Sequence, residues 1–481
     1  MKLLFVSSEC MPFVKTGGLG EIVHYYLKTM PHYIDTIIQV LPYYRAIRLN
    51  RESLGIVKTD LTLEIPLMNK PVKAEIYRWD NSERTIYFIG NDDYFDRDCL
   101  YSEGNLEFVD NAERFLFFNQ CIIALIRKLE FYPDIVHCID WQCAMLPVYL
   151  RTLHYHEFIH TKIVLTINNL LYQGIYSNFE MPLTNLPWSL FNPDKLEFYG
   201  KINFLKGGIV YADAVVVPSP QYLGEIQTRE QGCGLHDVLQ LKSQQLFSII
   251  NGIEKELWNP QTDPHLEYHY SADDLSGKQG CKRFLLNYCG FEPNSEMVCA
   301  IASRIIIDKG LYFFLEMLDF FMRKKIRVIM LGVGDRDLEQ IFKQKEELYP
   351  DGFRYYNRND IALGHQILAG SDILFKPSLI EPGGLSQIYA LECGTIPVVS
   401  SAGGLMDTVL NIADHPDQGN GFWFKPGDRS DAERVLSMVQ DYYYTQPSLW
   451  KKWQQNAMNH RLYMADSVKR YIDLYHQLLT E

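Results

Sequence analysis

The sequence has no pair of cysteines at Cys-x-x-Cys spacing and no Cys/His spacing typical of a zinc site. Its ten cysteines are dispersed, as expected of a reduced, intracellular chain rather than a disulfide-bonded secreted one. The apolar run near the amino terminus is too short for a secretory signal, and no segment resembles a plastid transit peptide. No apolar run is long enough for a membrane helix, so we expect a cytoplasmic protein with no membrane partner.

The chain also lacks an excess of positive charge. It has 46 Lys and Arg residues against 59 Asp and Glu residues, a net charge of −13. Because a nucleic-acid-binding face needs a basic patch, we expect no nucleic-acid partner. Apolar residues make up 47% of the 481 residues, which is typical of a globular protein with two or three domains and large cores.

Short apolar runs alternate with helix-like segments along the chain, in two successive series. Continuous apolar strands joined by helices predict parallel sheets covered on both faces, so the fold class is α/β with two doubly wound domains. Residues 112–130 and 311–325 carry apolar side chains at helical spacing. The predicted strands are 3–8, 36–41, 134–139, 162–168 and 214–219 in the first series, and 297–303, 326–332, 353–357, 372–377 and 395–400 in the second.

A polar, proline-containing segment, residues 251–274, fits a connection between the two series. We therefore predict an N-terminal domain over residues 1–252, a second domain over residues 253–446 and C-terminal helices over residues 447–481. No repeat and no low-complexity tract interrupts this organisation. In open α/β sheets ligands bind at the carboxyl ends of strands, so polar residues and glycine turns at those ends are the candidates for a site.

The first candidate is "KTGGLGEIV", which begins at Lys15 and follows the first predicted strand. Gly17, Gly18 and Gly20 leave backbone N–H groups open where a helix begins, and the helix dipole favours an anion there. Lys15 is placed to reach the same anion. The alternative is a tight strand-to-helix turn that needs glycine for its backbone angles.

The second candidate is "SRIIIDKGL", at the end of the first strand of the second series. Arg304 and Lys309 are two cations five residues apart, and they fit a clamp on a diphosphate, with arginine as a fork and lysine as a point charge. The alternative is a surface turn with two solvated cations.

The segment "LGVGDRDLE" resembles a dinucleotide-binding turn but lacks its third glycine. An NAD-dependent oxidoreductase is therefore disfavoured. Asp335 in this segment is predicted to be the N-cap of a helix.

The third candidate is "IEPGGLSQIYALEC", in which Glu381 precedes the Gly383–Gly384 turn and a predicted helix. Glu381 is either a capping carboxylate for that helix or a carboxylate that binds sugar hydroxyls. In the second case the N–H groups after it would contribute to a phosphate site.

The fourth candidate is "HCIDWQ", where Asp140 and Trp141 follow an apolar strand and would bind and stack on a sugar. A core role for His137 and an N-cap role for Asp140 are the alternatives. The amides of the nearby "TINNLLYQGIY" either bind hydroxyls or serve turns.

Taken together, these stretches resemble the bacterial glycogen synthases and plant starch synthases, and they occur in the order of that family. The resemblance covers nearly the whole chain. Besides the segments above, the sequences that carry it are "LPWSLFN", "LEFYGKINFLKGGIVYADAVVVPSPQY", "NGIEKELWNPQTD", "SSAGGLMDTV" and "PSLWKKWQQNAM".

The resemblance implies a GT-B glycosyltransferase, with two Rossmann-like domains facing a central cleft and C-terminal helices returning to the N-terminal domain. The implied reaction transfers glucose from a nucleotide sugar to the non-reducing end of an α-1,4-glucan or maltooligosaccharide, with retention of configuration. ADP-glucose is the favoured donor over UDP-glucose. Because preorganised cations stabilise a departing phosphate, no metal and no other cofactor is expected.

The resemblance also implies roles for individual residues. Arg304 and Lys309 would neutralise the leaving diphosphate, and Glu381 would bind the transferred sugar. The implied donor-binding residues are Lys15, Gly17, Gly18, Glu21, Asn251, Gly383, Gly384, Leu385 and Ser386. The implied residues of the sugar and acceptor side are Asp140, Trp141, Asn168 and Tyr172.

The chain departs from the family's pattern around the implied sugar pocket. Asn168 stands where the family usually has His, and Gln142 ends a motif in which two of three family histidines are lost. Glu21 replaces the usual Asp, Gly383 the usual Cys and Leu379 the usual Arg. These changes leave two hypotheses: an active enzyme with a shifted donor or acceptor, or a paralogue that binds nucleotide sugar or glucan with little turnover.

Overall fold

The computed structural model describes residues 1–68, 70–103 and 106–480. Its contacts divide the chain into two compact units, each treated by itself below. Glu481, at the end of the predicted C-terminal segment, lies outside the described residues. Unit 1 comprises Met1–Pro218, Leu223–Ile249 and Ser467–Glu481, and unit 2 comprises Ser219–Tyr222 and Ile250–Asp466.

Unit 1 is built on a nine-stranded sheet with the strand order β14-β13-β9-β8-β1-β2-β5-β4-β3. Because the chain starts in the interior of this sheet at β1 and builds outward on both sides, the strand order reverses between β1 and β8. The strands of unit 1, including those outside this sheet, are β1 (Lys2–Val6), β2 (Thr36–Pro42), β3 (Val57–Leu67), β4 (Lys70–Asp80), β5 (Thr85–Gly90), β6 (Ser102–Glu103), β7 (Leu106–Glu107), β8 (Ile135–Ile139), β9 (Lys162–Thr166), β10 (Ile175–Ser177), β11 (Glu197–Phe198), β12 (Lys201–Asn203), β13 (Ala214–Val217) and β14 (Leu246–Ser248). Strands β6 and β7 form a separate pair, and β10, β12 and β11 form a small sheet.

One edge of the large sheet corrects the prediction of an all-parallel arrangement. Strand β4 pairs antiparallel with both β3 and β5, although β5 is parallel to β2. Towards its carboxyl end, β3 alternates exposed with buried residues, as expected of a strand with one face in solvent. A search for continuous apolar runs does not detect such a strand, which is why β3 and β4 were not predicted.

The helices of unit 1 cover the sheet, and α4 confirms the helix predicted over 112–130. Its buried face includes Phe115, Ile122 and Ile126, and the helix ends before Glu130, which has a positive φ of 50°. Helix α17 begins in unit 2 and continues into unit 1 from Ser467. The helices of unit 1 are α1 (Gly18–Thr29), α2 (Arg45–Leu49), α3 (Asp92–Phe95), α4 (Asn111–Lys128), α5 (Met145–Arg151), α6 (Phe204–Tyr211), α8 (His236–Leu241) and, after those of unit 2, α17 (Met464–Thr480). Helix α7 (Pro220–Glu225) likewise begins in unit 2 and continues into unit 1 from Leu223.

Unit 2 is built on a six-stranded sheet with the order β17-β16-β15-β18-β19-β20, in which every neighbouring pair is parallel. The order reverses between β15 and β18, which is the topological switch point of a doubly wound sheet. Its strands are β15 (Val298–Ala302), β16 (Arg327–Leu331), β17 (Phe353–Tyr356), β18 (Ile373–Lys376), β19 (Ile396–Ser400) and β20 (Phe422–Phe424). Its helices are α9 (Ser276–Tyr288), α10 (Leu311–Arg323), α11 (Arg336–Leu348), α12 (Ile361–Gly370), α13 (Ser386–Glu392), α14 (Gly404–Thr408), α15 (Arg429–Thr445) and α16 (Pro447–Met458).

The core of unit 2 explains why its strands were predictable. Helix α10, predicted over 311–325, buries Phe314, Leu318 and Phe321 in a core shared with β16 and β18. Strands covered by helices on both faces carry continuous apolar runs, and the five strands predicted for the second series are all observed. The domain boundaries drawn from the sequence stay predictions; α16, beyond the second of them, lies in unit 2. Within the described ranges, no helix has the length and apolarity needed to cross a membrane.

Candidate functional site

Three of the sequence-predicted segments meet at one edge of the sheet in unit 1. Strands β9, β8 and β1 are neighbours and parallel, so their carboxyl ends lie together. The loop that carries Lys15 follows β1, Asp140 follows β8, and Asn168 follows β9. The strand order reverses between β1 and β8, so this edge is where a doubly wound sheet binds ligands.

The glycine segment after β1 forms the start of α1. Gly17 occupies the N-cap position in extended backbone and Gly18 begins the helix, which has no side-chain cap at this end. A Cβ at Gly20 would lie 2.7 Å from the Cβ of Lys15, so glycine is required there by close approach. The Lys15 ammonium lies 2.5 Å from Oε1 of Glu21. An uncapped helix start beside a lysine suits an anion, and the donor-phosphate role of these residues stays a prediction.

A buried carboxylate that the sequence reasoning missed fixes this loop. Glu9 is 2% exposed and accepts hydrogen bonds from the Thr16 backbone N–H at 2.6 Å and the Thr16 hydroxyl at 2.7 Å. The Tyr101 hydroxyl donates to the same carboxylate at 2.9 Å. Glu9 therefore links the end of β1 to the residue that precedes Gly17. A polar "SSE" directly after an apolar strand was the available signal.

Asp140 and Asn168 form a hydrogen-bonded pair across the ends of β8 and β9. The backbone N–H of Asn168 donates to Asp140 Oδ1 at 2.7 Å, and its side-chain amide donates to Oδ2 at 3.3 Å. Burial raises the pKa of Asp140 to about 7, although the hydrogen bonds from Asn168 lower it. Asp140 has a φ of 57° and its side chain does not cap the turn that follows, so the N-cap interpretation is wrong.

The other residues of this region are more deeply placed or more exposed. His137 is buried within hydrogen-bond distance of the Tyr475 and Thr166 hydroxyls, and burial lowers its pKa to about 3, so its core interpretation is confirmed. Trp141 is 6% exposed and packs edge-on against Phe115, with its ring filling the space above Gly174. Its predicted stacking on a sugar stays a prediction.

Tyr172 and Asn251 are the remaining site residues predicted within residues 1–252. Tyr172 is 44% exposed in the loop after β9, and within the described part of the chain its hydroxyl makes no hydrogen bond. Asn251 is buried after β14 and belongs to unit 2. The predicted roles of Tyr172 and Asn251 stay predictions.

In unit 2 the predicted catalytic residues gather at the switch point of the sheet. Arg304 follows β15, Lys309 ends the turn Ile307–Lys309, and Glu381 follows the neighbouring strand β18. Arg304 is exposed and forms no ion pair among the described residues, whereas Lys309 is largely buried. The interpretation of both as solvated surface cations is therefore wrong for Lys309.

Glu381 lies between two lysines. Its Oε1 is 3.0 Å from the ammonium of Lys309 and its Oε2 is 3.0 Å from that of Lys376. The Ser378 hydroxyl also donates to Oε2, at 3.0 Å. Burial alone raises the pKa of Glu381, but Lys309 and Lys376 outweigh it and hold the pKa at about 2. The side chain is therefore ionised near neutral pH, and it is not the cap of α13, which has no side-chain cap.

Lys376 is the second residue that sequence reasoning missed. It ends β18, is 7% exposed and lies within 3.1 Å of the Ser386 hydroxyl and 2.9 Å of Gln387 Oε1. A lysine at a strand end is usually solvated, so nothing in the sequence distinguished it.

The Gly383–Ser386 segment connects this cluster to α13. Gly384 has a φ of 72°, and a Cβ there would lie 2.5 Å from Gln387 Oε1 and 2.8 Å from the Lys376 ammonium. Leu385 is the N-cap residue and Ser386 begins the helix. Elsewhere in unit 2, Asp335 caps α11 by accepting from Asp337 and Leu338, which confirms its predicted role.

Comparison with known proteins covers the whole chain. The family model described as "Starch synthase catalytic domain" matches residues 2–241, and that described as "Glycosyl transferases group 1" matches residues 291–460. A glycogen synthase of Thermotoga maritima is 37% identical over 100% of this chain and 99% of that protein. One of Thermosipho africanus is 35% identical over 100% of both.

A solved structure matches over the same extent. The catalytic domain of starch synthase IV from Arabidopsis thaliana, bound to ADP and acarbose, superposes with a TM-score of 0.90. It is 27% identical and covers 100% of this chain and 99% of that chain.

Proposed function

The chain belongs to the family of bacterial glycogen synthases and plant starch synthases, and from this premise we propose that it elongates an α-1,4-glucan with glucose from ADP-glucose. It is a hexosyltransferase of glycogen- and starch-synthase type with the GT-B fold. The ADP in the Arabidopsis neighbour supports ADP-glucose over UDP-glucose as the donor, and its acarbose supports a saccharide acceptor.

The Lys309–Glu381 pair at the switch point of unit 2 is the observation that carries this proposal. In a glycosyl transition state, positive charge develops on the sugar and negative charge on the departing phosphate. Arg304 and Lys309 stabilise the departing diphosphate with their positive charges, so the proposed transfer needs no metal. Glu381, ionised near neutral pH, accepts a hydrogen bond from a hydroxyl of the transferred glucose and so orients the sugar.

The proposed stereochemical course is retention, with the acceptor attacking on the face from which the diphosphate leaves. Glu381 is then a sugar-positioning group and not a nucleophile. On the acceptor and sugar side, Asp140 and Asn168 supply a carboxylate and an amide for hydroxyl groups. The proposed second substrate, the acceptor, is an α-1,4-glucan or a maltooligosaccharide.

The test is a panel of nucleotide sugars assayed with glycogen and with a maltooligosaccharide. We expect repeated release of ADP from ADP-glucose, dependent on the glucan, and a lower rate with UDP-glucose. Hydrolysis measured without glucan is the control. No turnover with any nucleotide sugar would contradict the proposal, and faster turnover with UDP-glucose would overturn the choice of base.

A second candidate, a binder with little turnover, is favoured by one observation. Asn168 stands where the family usually has His, and its side-chain amide donates a hydrogen bond to Asp140. This candidate predicts retention of the chain on immobilised glycogen without nucleotide release, and gain of turnover when the histidine is restored.

Asn168→His separates the two candidates through pH. If the wild-type enzyme uses the Asp140 carboxylate, its activity rises with pH through the pKa of about 7. An imidazolium beside Asp140 favours the carboxylate, so in Asn168→His this rise is expected at lower pH, with kcat changed by less than about tenfold. Asp140→Asn is the control and should abolish the rise. Turnover that appears in Asn168→His alone would instead establish the second candidate.

A further inference from the structure

We propose that Lys376 is a positioning residue that locks one oxygen of Glu381 and leaves the other oxygen to receive the transferred sugar. This inference rests on the proposed function and assigns a role within that site to a residue that does not itself touch the substrate. Its basis is the contacts of Lys376, Lys309 and Glu381 with each other and with the side chains around them, all within the described residues of unit 2.

Three acceptors of the protein surround the Lys376 ammonium, two of them in hydrogen bonds and Glu381 in an ion pair. A lysine ammonium carries three N–H donors, and those of Lys376 have three acceptors. These are Glu381 Oε2 at 3.0 Å, Ser386 Oγ at 3.1 Å and Gln387 Oε1 at 2.9 Å. With 7% of its surface exposed, the side chain is enclosed by the groups it binds.

Lys309 differs from Lys376 in this respect. Its ammonium lies 3.0 Å from Glu381 Oε1, and Asp308 Oδ2 is farther away, at 3.6 Å. One of its three donors is therefore engaged in a hydrogen bond, and two remain for an anion such as a diphosphate. The two lysines hold the same carboxylate, but Lys309 alone of the pair retains the capacity to bind a substrate.

The two oxygens of Glu381 are correspondingly unequal. Each carboxylate oxygen has two acceptor positions. Oε2 accepts a hydrogen bond from the Ser378 hydroxyl and forms the ion pair with Lys376, whereas Oε1 accepts a hydrogen bond from Lys309 alone. One acceptor position, on Oε1 beside Lys309, is left for a sugar hydroxyl next to the cation that faces the leaving group.

Lys376 also ties this orientation to the glycine turn. Gln387, which accepts from Lys376, donates to the carbonyl of Gly383 at 2.9 Å and to the Thr408 hydroxyl at 3.1 Å. The carboxylate, the turn and the first turn of α13 thus form one connected network. A shift of about 1 Å in such a network costs on the order of 10²-fold in rate.

The test is Lys376→Met, which keeps the apolar stem and removes the ammonium. Lys282→Met is the matched control, because Lys282 is also buried and forms an ion pair with Asp372 at 2.6 Å. Asp372 directly precedes the first residue of β18, the strand that Lys376 ends. Both variants are expected to unfold at lower urea concentration. In Lys376→Met alone we expect kcat/KM for the nucleotide sugar to fall by on the order of 10²-fold, mostly in kcat.

The pH profile gives a readout that lost stability alone would not change. The charged groups around Glu381 are Lys309 and Asp308 on one side and Lys376 on the other. Without Lys376, burial favours the protonated form of Glu381, so Lys376→Met is expected to lose activity as pH falls through a range where the wild type does not. An unchanged profile with kcat equal to that of Lys282→Met would overturn the proposal.

Direct binding separates this inference from the proposed function. Calorimetry with ADP should give the same Kd for wild type and Lys376→Met, because acceptors of the protein surround the Lys376 ammonium, and a weaker Kd for Lys309→Met. A weaker Kd for ADP in Lys376→Met would show that Lys376 binds the nucleotide and would refute the positioning role. If no nucleotide sugar turns over in the wild type, the proposed function fails while this comparison still decides the roles of the lysines.

Ser378→Ala is the second variant, for the case that Lys376→Met does not fold. It removes the other donor to Oε2 and leaves both lysines in place. We expect a smaller fall in kcat, between about 3- and 30-fold, and an acid limb displaced in the same direction. A wild-type profile in Ser378→Ala would contradict the assignment of Oε2 as the locked oxygen.

Discussion

Arg304→Ala is expected to lower kcat by about 10²–10³-fold while the free energy of unfolding stays within about 0.5 kcal/mol of wild type. In the proposed mechanism, this substitution removes a cation that would stabilise the departing diphosphate. Stability is unaffected because the side chain is exposed and forms no ion pair among the described residues. Steady-state kinetics with a nucleotide sugar and urea unfolding of the same preparation measure the two quantities.

Arg323→Ala is the control for this change. Arg323 is an exposed arginine at the end of α10, and α10 begins two residues after Lys309. Like Arg304→Ala, the Arg323→Ala substitution removes one positive charge from unit 2, but at the end of α10 that is farther along the chain from Lys309. It is expected to leave kcat unchanged. Equal activities of the two variants would show that net charge matters and that Arg304 has no specific role in departure of the diphosphate.

Glu381→Gln has the largest expected effect on stability, together with a fall in kcat of about 10²–10³-fold. The glutamine keeps the shape but leaves Lys376 buried without a counter-charge and Lys309 with only the more distant Asp308, at 3.6 Å. Removing one partner of a buried ion pair costs about 3–5 kcal/mol. Asp372→Asn is the control, because it disrupts the buried pair with Lys282 beside the other end of β18 and should lower stability without removing catalysis.

The pH dependence of this stability difference follows from the lowered pKa of Glu381. The folded-state pKa of about 2 lies below the ordinary value of 4.5, so the carboxylate stabilises the folded state above pH 4.5. That contribution is lost as the pH falls from 4.5 towards 2. The difference in unfolding free energy between wild type and Glu381→Gln should therefore be constant near neutral pH and shrink below about pH 4.5. A constant difference down to pH 3 would contradict the paired carboxylate.

The alternation of apolar strands and helices made most of the fold predictable. Strands such as β8 and β16 are buried on both faces, and their continuous apolar runs identify them in the sequence. The antiparallel edge of unit 1 was missed because β3 exposes charged residues along one face. The small sheet of β10, β11 and β12 was missed because its strands are two or three residues long.

Residues of the site could be predicted where a characteristic residue type stands beside a glycine turn. They could not be predicted where the role of a residue depends on its burial in the fold. Glu381 stood out because a carboxylate beside two glycines at a helix start is unusual. Lys376, four residues after Asp372, is an ordinary lysine in the sequence, and only the fold encloses it against Glu381 and Gln387. Glu9 was missed for the same reason, since its partners Thr16 and Tyr101 come from a following loop and a distant segment.

The most direct test of the central claim is to follow glucan growth and nucleotide release in one reaction with ADP-glucose and a maltooligosaccharide. The account predicts that one ADP is released for each glucose added and that proton NMR shows new α-1,4 linkages. It also predicts that the rate does not depend on added metal and that EDTA does not inhibit the reaction. Binding of the oligosaccharide with no ADP release, or products with a β linkage, would contradict it.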